Sequence, residues 1–276
     1  MAKKIPLLLV FLSFLACVYT CLTTPQAPPN YLIHKDQIST NPTQEDQHEI
    51  FRAIKIINDR NEKITSLYVP LIDMRIKQKM AVSTTGSMYF QKEKRYRMTV
   101  KSVFGKEIDV GANDTYFWFW SKRMDPPDLF YARHENLDKA MLKTPLNPSW
   151  LMESLTLGKI DTKNIEVGEL NGNWVILQKR KSARDEDVTV ATLISKEQNP
   201  QILGNYLYND QGRMIASTEI SNCFDINGLL VPKTMFITWY EEGLTMEWNL
   251  GQLKINVQIP ESIWQIPNYP RKIEMK

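Results

Sequence analysis

The chain has 276 residues, and its composition, 43% hydrophobic and 24% charged, is that of an ordinary globular protein able to bury a sizeable core. Its formal net charge of +3 at pH 7 is too small for the basic surface of a nucleic-acid-binding protein. Three cysteines do not make a disulfide scaffold, so burial of apolar side chains must stabilise the fold; one long-range bridge between Cys21 and Cys223 is the alternative that stays open.

The first residues have the pattern of a secretory signal peptide. Two lysines precede an apolar run from Ile5 to Leu15, which is too short to span a bilayer, and small Ala16 stands before Cys17. We therefore predict that residues 1–16 are a signal peptide and that the protein is exported.

The segment Phe14-Leu15-Ala16-Cys17 resembles the lipobox of bacterial lipoproteins, in which the cysteine sulfur is acylated and the chain is cut just before it. The sequence thus predicts a lipoprotein carrying a palmitate-type anchor on Cys17, facing the periplasm, with the outer membrane as its expected location. Phe14 stands where the pattern prefers Leu, and Cys21 is a second candidate for the anchor. The alternative is an ordinary cleaved signal peptide whose cysteines carry no lipid.

Residues 17–43 are predicted to be the lipidated N-terminus and a flexible tether. The part from residue 22 onward contains four prolines and many Thr, Asn and Gln, with little that packs. Residues 44–276 show no internal repeat and no domain boundary, so we expect them to form a single domain.

A helix is predicted to begin near Thr43 and to end between residues 58 and 62. Thr43 suits the cap position, and Asp46 lies three residues further, where a negative charge favours the positive end of the helix dipole. One apolar stripe follows at helical spacing and needs a partner surface. It consists of Ile50, Phe51, Ile54 and Ile57.

From Leu71 onward the hydrophobic period changes from helical to two, which predicts strands joined by tight turns. A short helix over residues 147–158, with Pro148 at its first position, interrupts them. So many successive strands indicate one antiparallel sheet that is curved or nearly closed. The predicted strands are 71–79, 86–91, 94–102, 107–111, 115–122, 129–133, 174–180, 188–194, 202–208, 213–221, 235–241, 244–250 and 252–259.

Motifs for catalysis are missing from the sequence. His34, His48 and His134 lack the spacing of a metal site, and no Gly-x-Ser-x-Gly, phosphate-binding loop or His-Glu-x-x-His occurs. We therefore expect a protein that is not an enzyme and that takes no metal or cofactor.

The segment Tyr116–Trp120 is apolar on both faces of its predicted strand. One interpretation is a central core strand that is covered on both sides. The other is that one of its faces lines an apolar cavity for a lipid chain, helped by several methionines on neighbouring strands, because unbranched Met adapts to acyl chains of varied shape.

Three segments together resemble the LolA/LolB-like family of lipoprotein carriers and receptors. They are the helix end leading into Ile64-Thr65-Ser66-Leu67, the aromatic strand 116–120 and the ending 259–267. The resemblance spans about residues 44–267 and implies an incomplete antiparallel β-barrel, a strongly curved sheet whose open side is covered by helices over an apolar cavity. Residues 122–143 have no counterpart in the family, and no residue is assigned to the family's basic lid position or membrane-inserting loop.

This resemblance implies non-enzymatic binding of lipid or lipoprotein acyl chains, for carriage or reception in the bacterial cell envelope. Expected partners are those acyl chains, the membrane surface reached through the N-terminal lipid and another envelope protein, but no nucleic acid. The alternative function is an envelope interaction or sensor lipoprotein on the same scaffold without lipid cargo. The parity of each strand and helix predicts ten cavity-lining residues: Met98, Val100, Trp118, Trp120, Trp150, Leu155, Met246, Trp248, Ile255 and Val257.

Overall fold

The computed structural model describes residues 37–40, 42–78, 81–92, 95–136, 153–181, 186–241 and 243–275. In this part of the chain one helix, α1 (Gln44–Glu62), precedes fifteen strands that form one sheet, so the prediction of a mainly β protein is confirmed. The strands are β1 (Ser66–Lys77), β2 (Ala81–Gln91), β3 (Arg95–Ser102), β4 (Gly105–Ala112), β5 (Tyr116–Ser121), β6 (Leu129–Arg133), β7 (Ile165–Leu170), β8 (Asn173–Lys181), β9 (Asp187–Ile194), β10 (Ile202–Asn209), β11 (Met214–Ile226), β12 (Leu229–Trp239), β13 (Leu244–Leu250), β14 (Lys254–Ile255) and β15 (Lys272–Glu274).

Helix α1 begins where the sequence predicts, because its first turn is closed by a capping box. The Thr43 hydroxyl accepts a hydrogen bond from the Asp46 amide (3.1 Å), and the Asp46 carboxylate accepts one from the Thr43 amide (2.9 Å). Ile50, Ile54 and Ile57 are buried. Phe51 was predicted to share their stripe, but it is 45% exposed, because it lies about 100° around the helix from Ile50.

The chain divides into two compact units. The first unit comprises Thr65–Pro148 and Trp248–Lys276 and contains the strand series β15-β6-β5-β4-β3-β2-β1, with β14 paired to β1. Neighbouring strands are antiparallel except β15, which runs parallel to β6 and makes the sheet mixed.

The predicted strand 252–259 is wrong apart from the two residues of β14. Its apolar side chains alternate as in a strand, but Asn256 has a φ of 54° and turns the backbone. The Asn256 side-chain oxygen then accepts a hydrogen bond from the Thr65 amide at 2.8 Å. A strand was missed at the other end of the series, where β15 has only three residues.

The second unit comprises Thr23–Ile64 and Ser149–Glu247 and contains α1 and an antiparallel series from β12 to β7. The predicted turns Asn171-Gly172 and Asn227-Gly228 join β7 to β8 and β11 to β12. All four turn residues have positive φ, as two-residue hairpin turns require. The predicted second helix is described only from residue 153, and residues 153 and 154 are helical.

The N-terminal segment docks on the outer side of β7. Ser39 exchanges two backbone hydrogen bonds with Glu169, at 3.1 and 2.9 Å. Its neighbour Ile38 lies over Gly168 and joins a buried cluster on the same face of the unit. A Cβ atom at Gly168 would lie 2.5 Å from the Ser39 carbonyl oxygen, so this contact requires glycine. The cluster also contains Leu170, Val175, Leu177, Ala191, Leu193, Tyr206 and Tyr208.

The strand order begins at β15 and ends at β7, so the sheet does not close on itself. The prediction of a strongly curved, incomplete barrel is not borne out, and the helices over an open side stay a prediction.

Candidate functional site

One face of the sheet in the first unit is lined mainly by buried apolar side chains, and we call it the apolar face. Pairing places Met98 of β3 opposite Met88 of β2 and Val110 of β4, and Val110 opposite Phe119 of β5. All four side chains are buried. The neighbouring positions of the same face are also buried and apolar, and they are Leu67, Val69, Ile72, Met74, Phe90, Tyr96, Val100, Ile108 and Phe117.

Tyr96 places a hydroxyl group within this apolar face. Its side chain is buried, and its hydroxyl oxygen has no hydrogen-bond partner in the described part of the chain. Burial holds the pKa of the phenol well above its ordinary value, so the group stays protonated and keeps a hydrogen to donate. An unpaired buried hydroxyl costs stability, and a ligand carrying an acceptor oxygen would remove that cost.

The predicted cavity residues of β5 lie on the other face of the sheet. Trp118 is opposite Gly111, and Trp120 is opposite Asp109, whereas Met98 and Val100 lie on the apolar face. The two tryptophans and the two β3 residues therefore cannot line one surface. Parity alone could not decide this, because β5 is buried on both faces.

A C-terminal segment covers the face of Trp118 and Trp120. This strap runs from a 3-10 turn at Glu261–Trp264 to the end of β15. Tyr269 stacks on Trp120 with ring centroids 4.6 Å apart, and Ile266 packs against the same cluster. The side of β5 that faces the strap is thus filled by the chain's own side chains, as the core-strand interpretation predicts.

Hydrogen bonds to the Asp109 and Arg97 side chains, which form an ion pair, hold the strap on the sheet. Asp109 is fully buried and bonds Arg97 (2.9 Å) and Lys106 (3.0 Å), and it accepts a hydrogen bond from the Tyr269 hydroxyl (3.2 Å). Burial alone would raise the pKa of Asp109, but the hydrogen bond and charge of Arg97, with Lys106, lower it below its usual value. Arg97 also donates to the Ile263 carbonyl oxygen of the strap at 3.2 Å.

In the second unit, α1 and residues 153–160 lie together over the opposite face from Ile38. The Asn61 side-chain amide donates to the carbonyl oxygens of Thr156 (2.8 Å) and Gly158 (3.0 Å). Ser154 and Thr218 of β11 share a hydroxyl hydrogen bond of 2.8 Å. Helix α1 also contacts β12, so its buried stripe lies in the second unit.

The remaining predicted cavity residues are placed as follows. Leu155, Met246 and Trp248 are buried, whereas Ile255 and Val257 are half-buried. Leu155 follows Ser154 on the segment bonded to α1. Trp150 and Cys17 lie outside the described residues.

The turn between β3 and β4 presents exposed apolar side chains, which the sequence analysis missed. Val103 is 88% exposed and Phe104 is 61% exposed. The signal was available in the sequence, because two adjacent apolar residues stand directly before Gly105 in a hairpin turn, where polar residues are usual. Among the described residues no group of His, Cys, Asp and Glu side chains is arranged to hold a metal ion.

Glu219 is a carboxyl group of the second unit whose pKa is shifted by burial. It lies on β11 opposite Gly204 and Phe236, is 7% exposed, and one of its oxygens has no hydrogen-bond partner in the described residues. Burial raises the pKa of Glu219 to about 7.

No protein-family model and no curated protein matches this chain. Solved structures do match it. A DUF1329 family protein from Desulfovibrio piger is 12% identical with a TM-score of 0.54, and the match covers 79% of this chain and 96% of the other. An outer membrane lipoprotein-sorting protein domain from Vibrio parahaemolyticus is 10% identical with a TM-score of 0.54, covering 78% and 96%.

A LolA superfamily protein from Nitrosomonas europaea is 11% identical with a TM-score of 0.51, covering 77% of this chain and 97% of that one. Such low identities show the fold alone. Within the described residues no helix is long and apolar enough to span a membrane. The resemblance predicted from the sequence is therefore confirmed as a likeness of fold: over more than three quarters of its length, this chain is built like the LolA superfamily and outer membrane lipoprotein-sorting domains.

Proposed function

We propose that this protein is a non-enzymatic carrier or receptor for the acyl chains of lipids or lipoproteins in the bacterial cell envelope. The observation that carries the proposal is the apolar face of the first unit, on a fold shared with lipoprotein-sorting domains. Its methionines adapt to flexible hydrocarbon, and covering an acyl chain is favourable by roughly 0.8 kcal/mol per methylene. A diacyl group therefore needs no charged contact to be held.

The proposed mode of binding is insertion of the chains against the apolar face, under a cover that moves aside. Met98 and Val100 stay in the proposed lining, and Phe117 and Phe119 join them. Trp118 and Trp120 lie on the opposite face of β5, under the strap, and are left out of the lining. The Tyr96 hydroxyl is suited to donate to an ester carbonyl at the head of the chain. A lining role for Trp150, Leu155, Met246, Trp248, Ile255 and Val257 remains part of the proposal.

The proposed location is the periplasmic side of the cell envelope, with lipid on Cys17 and a tether that was predicted over residues 17–43 but ends where Ile38 and Ser39 dock on β7. A single functional domain over residues 44–276 is part of this proposal. The exposed tip formed by Val103 and Phe104 is proposed as a direct contact with the bilayer, because two exposed apolar side chains gain free energy by entering its interface. The mass of the mature N-terminal peptide tests the anchor, since a diacylglyceryl group on Cys17 changes it by a defined amount.

Acyl binding is tested with a photoreactive fatty acid and with native mass spectrometry of protein extracted gently from membranes. We expect co-purified lipid, and cross-links at Met88 or Met98. Cross-links confined to the strap and Trp118 would move the site to the other face. A protein that is always lipid-free and takes no cross-link would overturn the proposal.

A second candidate function is an envelope interaction or sensor lipoprotein without lipid cargo. The close packing of β5 on both of its faces favours it, because the chain's own side chains fill at least the strap side. A stoichiometric protein partner retained from envelope membranes, together with absence of acyl binding, would select this function over the first.

A further inference from the structure

The tip of the β3–β4 hairpin is held in a defined conformation. The Phe104 amide donates to the Ser102 hydroxyl at 3.0 Å, and the Lys122 ammonium donates to the Phe104 carbonyl oxygen at 2.9 Å. Gly105 has a φ of 99°, which completes the turn. Val103 and Phe104 therefore project from a structured tip.

Cationic side chains surround this tip. Lys101 and Lys106 are directly opposite each other across the hairpin, both are exposed, and exposed Lys122 lies beside Phe104. Like charges directly opposite on two strands destabilise a hairpin. Lys106 is ion-paired with buried Asp109, whereas Lys101 makes no ion pair with a described residue.

The carboxylates near the tip do not cancel these charges at the surface. Glu107 bonds Arg123 at 3.0 Å and lies 3.9 Å from Lys122, while Asp109 bonds Lys106. Both carboxylates are fully buried, whereas the side chains of Lys101, Lys106 and Lys122 are exposed. An approaching surface therefore meets positive charge around two apolar side chains.

We propose that this tip selects anionic phospholipid: Val103 and Phe104 enter the interfacial layer while Lys101, Lys106 and Lys122 contact the headgroup phosphates. The proposal rests on the membrane contact in the proposed function and adds the class of lipid. A nucleic acid or an acidic protein would use the lysines but would leave the two central apolar side chains without a role.

The test is co-sedimentation of the mature chain, from residue 17 onward, with vesicles of phosphatidylcholine alone or with one third phosphatidylglycerol. Every variant carries Cys17→Ser and Cys21→Ser, so that no N-terminal lipid contributes and differences report the tip. Each lysine near an anionic surface is worth about 1 kcal/mol, or about fivefold in binding. We expect Lys101→Gln to lose about fivefold on the anionic vesicles only, and Lys101→Glu roughly twentyfold or more.

Lys101→Glu also separates loss of binding from loss of folding. A glutamate at position 101 faces Lys106, so thermal stability should be equal to or higher than that of the parent. The matched control is Lys254→Glu, another exposed lysine of the same unit, which should leave vesicle binding within twofold. Raising the salt concentration should weaken the anionic preference, because exposed charges are screened beyond about 8 Å at physiological ionic strength.

The outcomes distinguish a failure of the membrane contact from a failure of the selection for anionic lipid. If Val103→Ser with Phe104→Ser leaves binding to both vesicles unchanged, the membrane contact itself is wrong. If that double variant loses binding but Lys101→Glu does not, the contact stands and the selection of anionic lipid is overturned. Binding to DNA or polyglutamate that is as tight as to vesicles, and indifferent to the double variant, would also overturn it.

Discussion

Glu219 has a carboxyl group whose charged form is poorly solvated. It is buried on β11 between Gly204 and Phe236, and burial raises its pKa from 4.5 to about 7. Its negative charge in turn raises the pKa of nearby Tyr240, though burial is the larger cause there. The folded protein therefore holds a proton on Glu219 at acidities where an unfolded chain has released it.

That difference makes stability depend on pH. Between pH 4.5 and about 7 the native state binds more protons than the unfolded state, so the free energy of unfolding falls as pH rises. Glu219→Gln keeps the shape and removes the charge. We expect the variant to be more stable than the parent at pH 8, by roughly 3 kcal/mol at most, and similar at pH 4. Urea unfolding across this range measures it, and parallel pH profiles for the two proteins would contradict it.

The sequence indicated that Tyr116–Trp120 is a buried strand, but not which of its side chains lie on which face of the sheet. Both sets of side chains are apolar, so alternation offers no choice between them. Trp118 lies on the face where Gly111 stands opposite it. A Cβ atom at Gly111 would lie 2.4 Å from the indole ring, so only glycine leaves room for the tryptophan. Only the register of β4 and β5 reveals that contact. Val103 and Phe104 were missed for a different reason: they lie between two predicted strands, where alternation along a strand gives no information.

The C-terminal strap is held on the sheet by contacts between residues distant in sequence. Tyr269 contributes a ring stacked on Trp120 and a hydroxyl bonded to Asp109. Tyr269→Phe should cost about 1 kcal/mol, and Tyr269→Ala roughly 2 kcal/mol or more, because the alanine also removes the stacking.

Chemical denaturation of the purified variants checks both values. Tyr116→Phe is the control, since the Tyr116 hydroxyl makes no hydrogen bond to a described residue. If Tyr269→Phe and Tyr116→Phe are equally stable, the hydroxyl of Tyr269 does not hold the strap.

Strand prediction succeeded where alternation was strong and failed where one residue overrode it. Leu129–Arg133 and Leu244–Leu250 were predicted to the residue. Residues 252–259 alternate as regularly, but the left-handed backbone of Asn256 ends the strand. The missed β7 contains Glu166, Gly168 and Glu169, and its glycine is explained by Ser39, far away in sequence. Helix α1 was predicted because its signals, a cap and a stripe, are local.

For the whole molecule, the proposed function requires the two faces of the first unit to differ. Met98→Ala and Leu129→Ala each remove a buried side chain, the first from the apolar face and the second from the strap face. Both should lower the free energy of unfolding, by roughly 2 to 5 kcal/mol. Only Met98→Ala should change the affinity for a fluorescent fatty acid, by several-fold in titrations below the unfolding temperature. Equal effects of the two variants on binding would contradict the assignment of the apolar face.

The two backbone hydrogen bonds between Ser39 and Glu169 limit the length of the tether in a lipid-anchored form of the protein. From Cys17 to Ser39 a fully extended chain spans at most about 75 Å, at roughly 3.4 Å per residue. In a protein with its lipid on Cys17, Ser39 would thus stay within that distance of one leaflet. We expect such an anchored protein to receive acyl chains from a donor that diffuses into this zone.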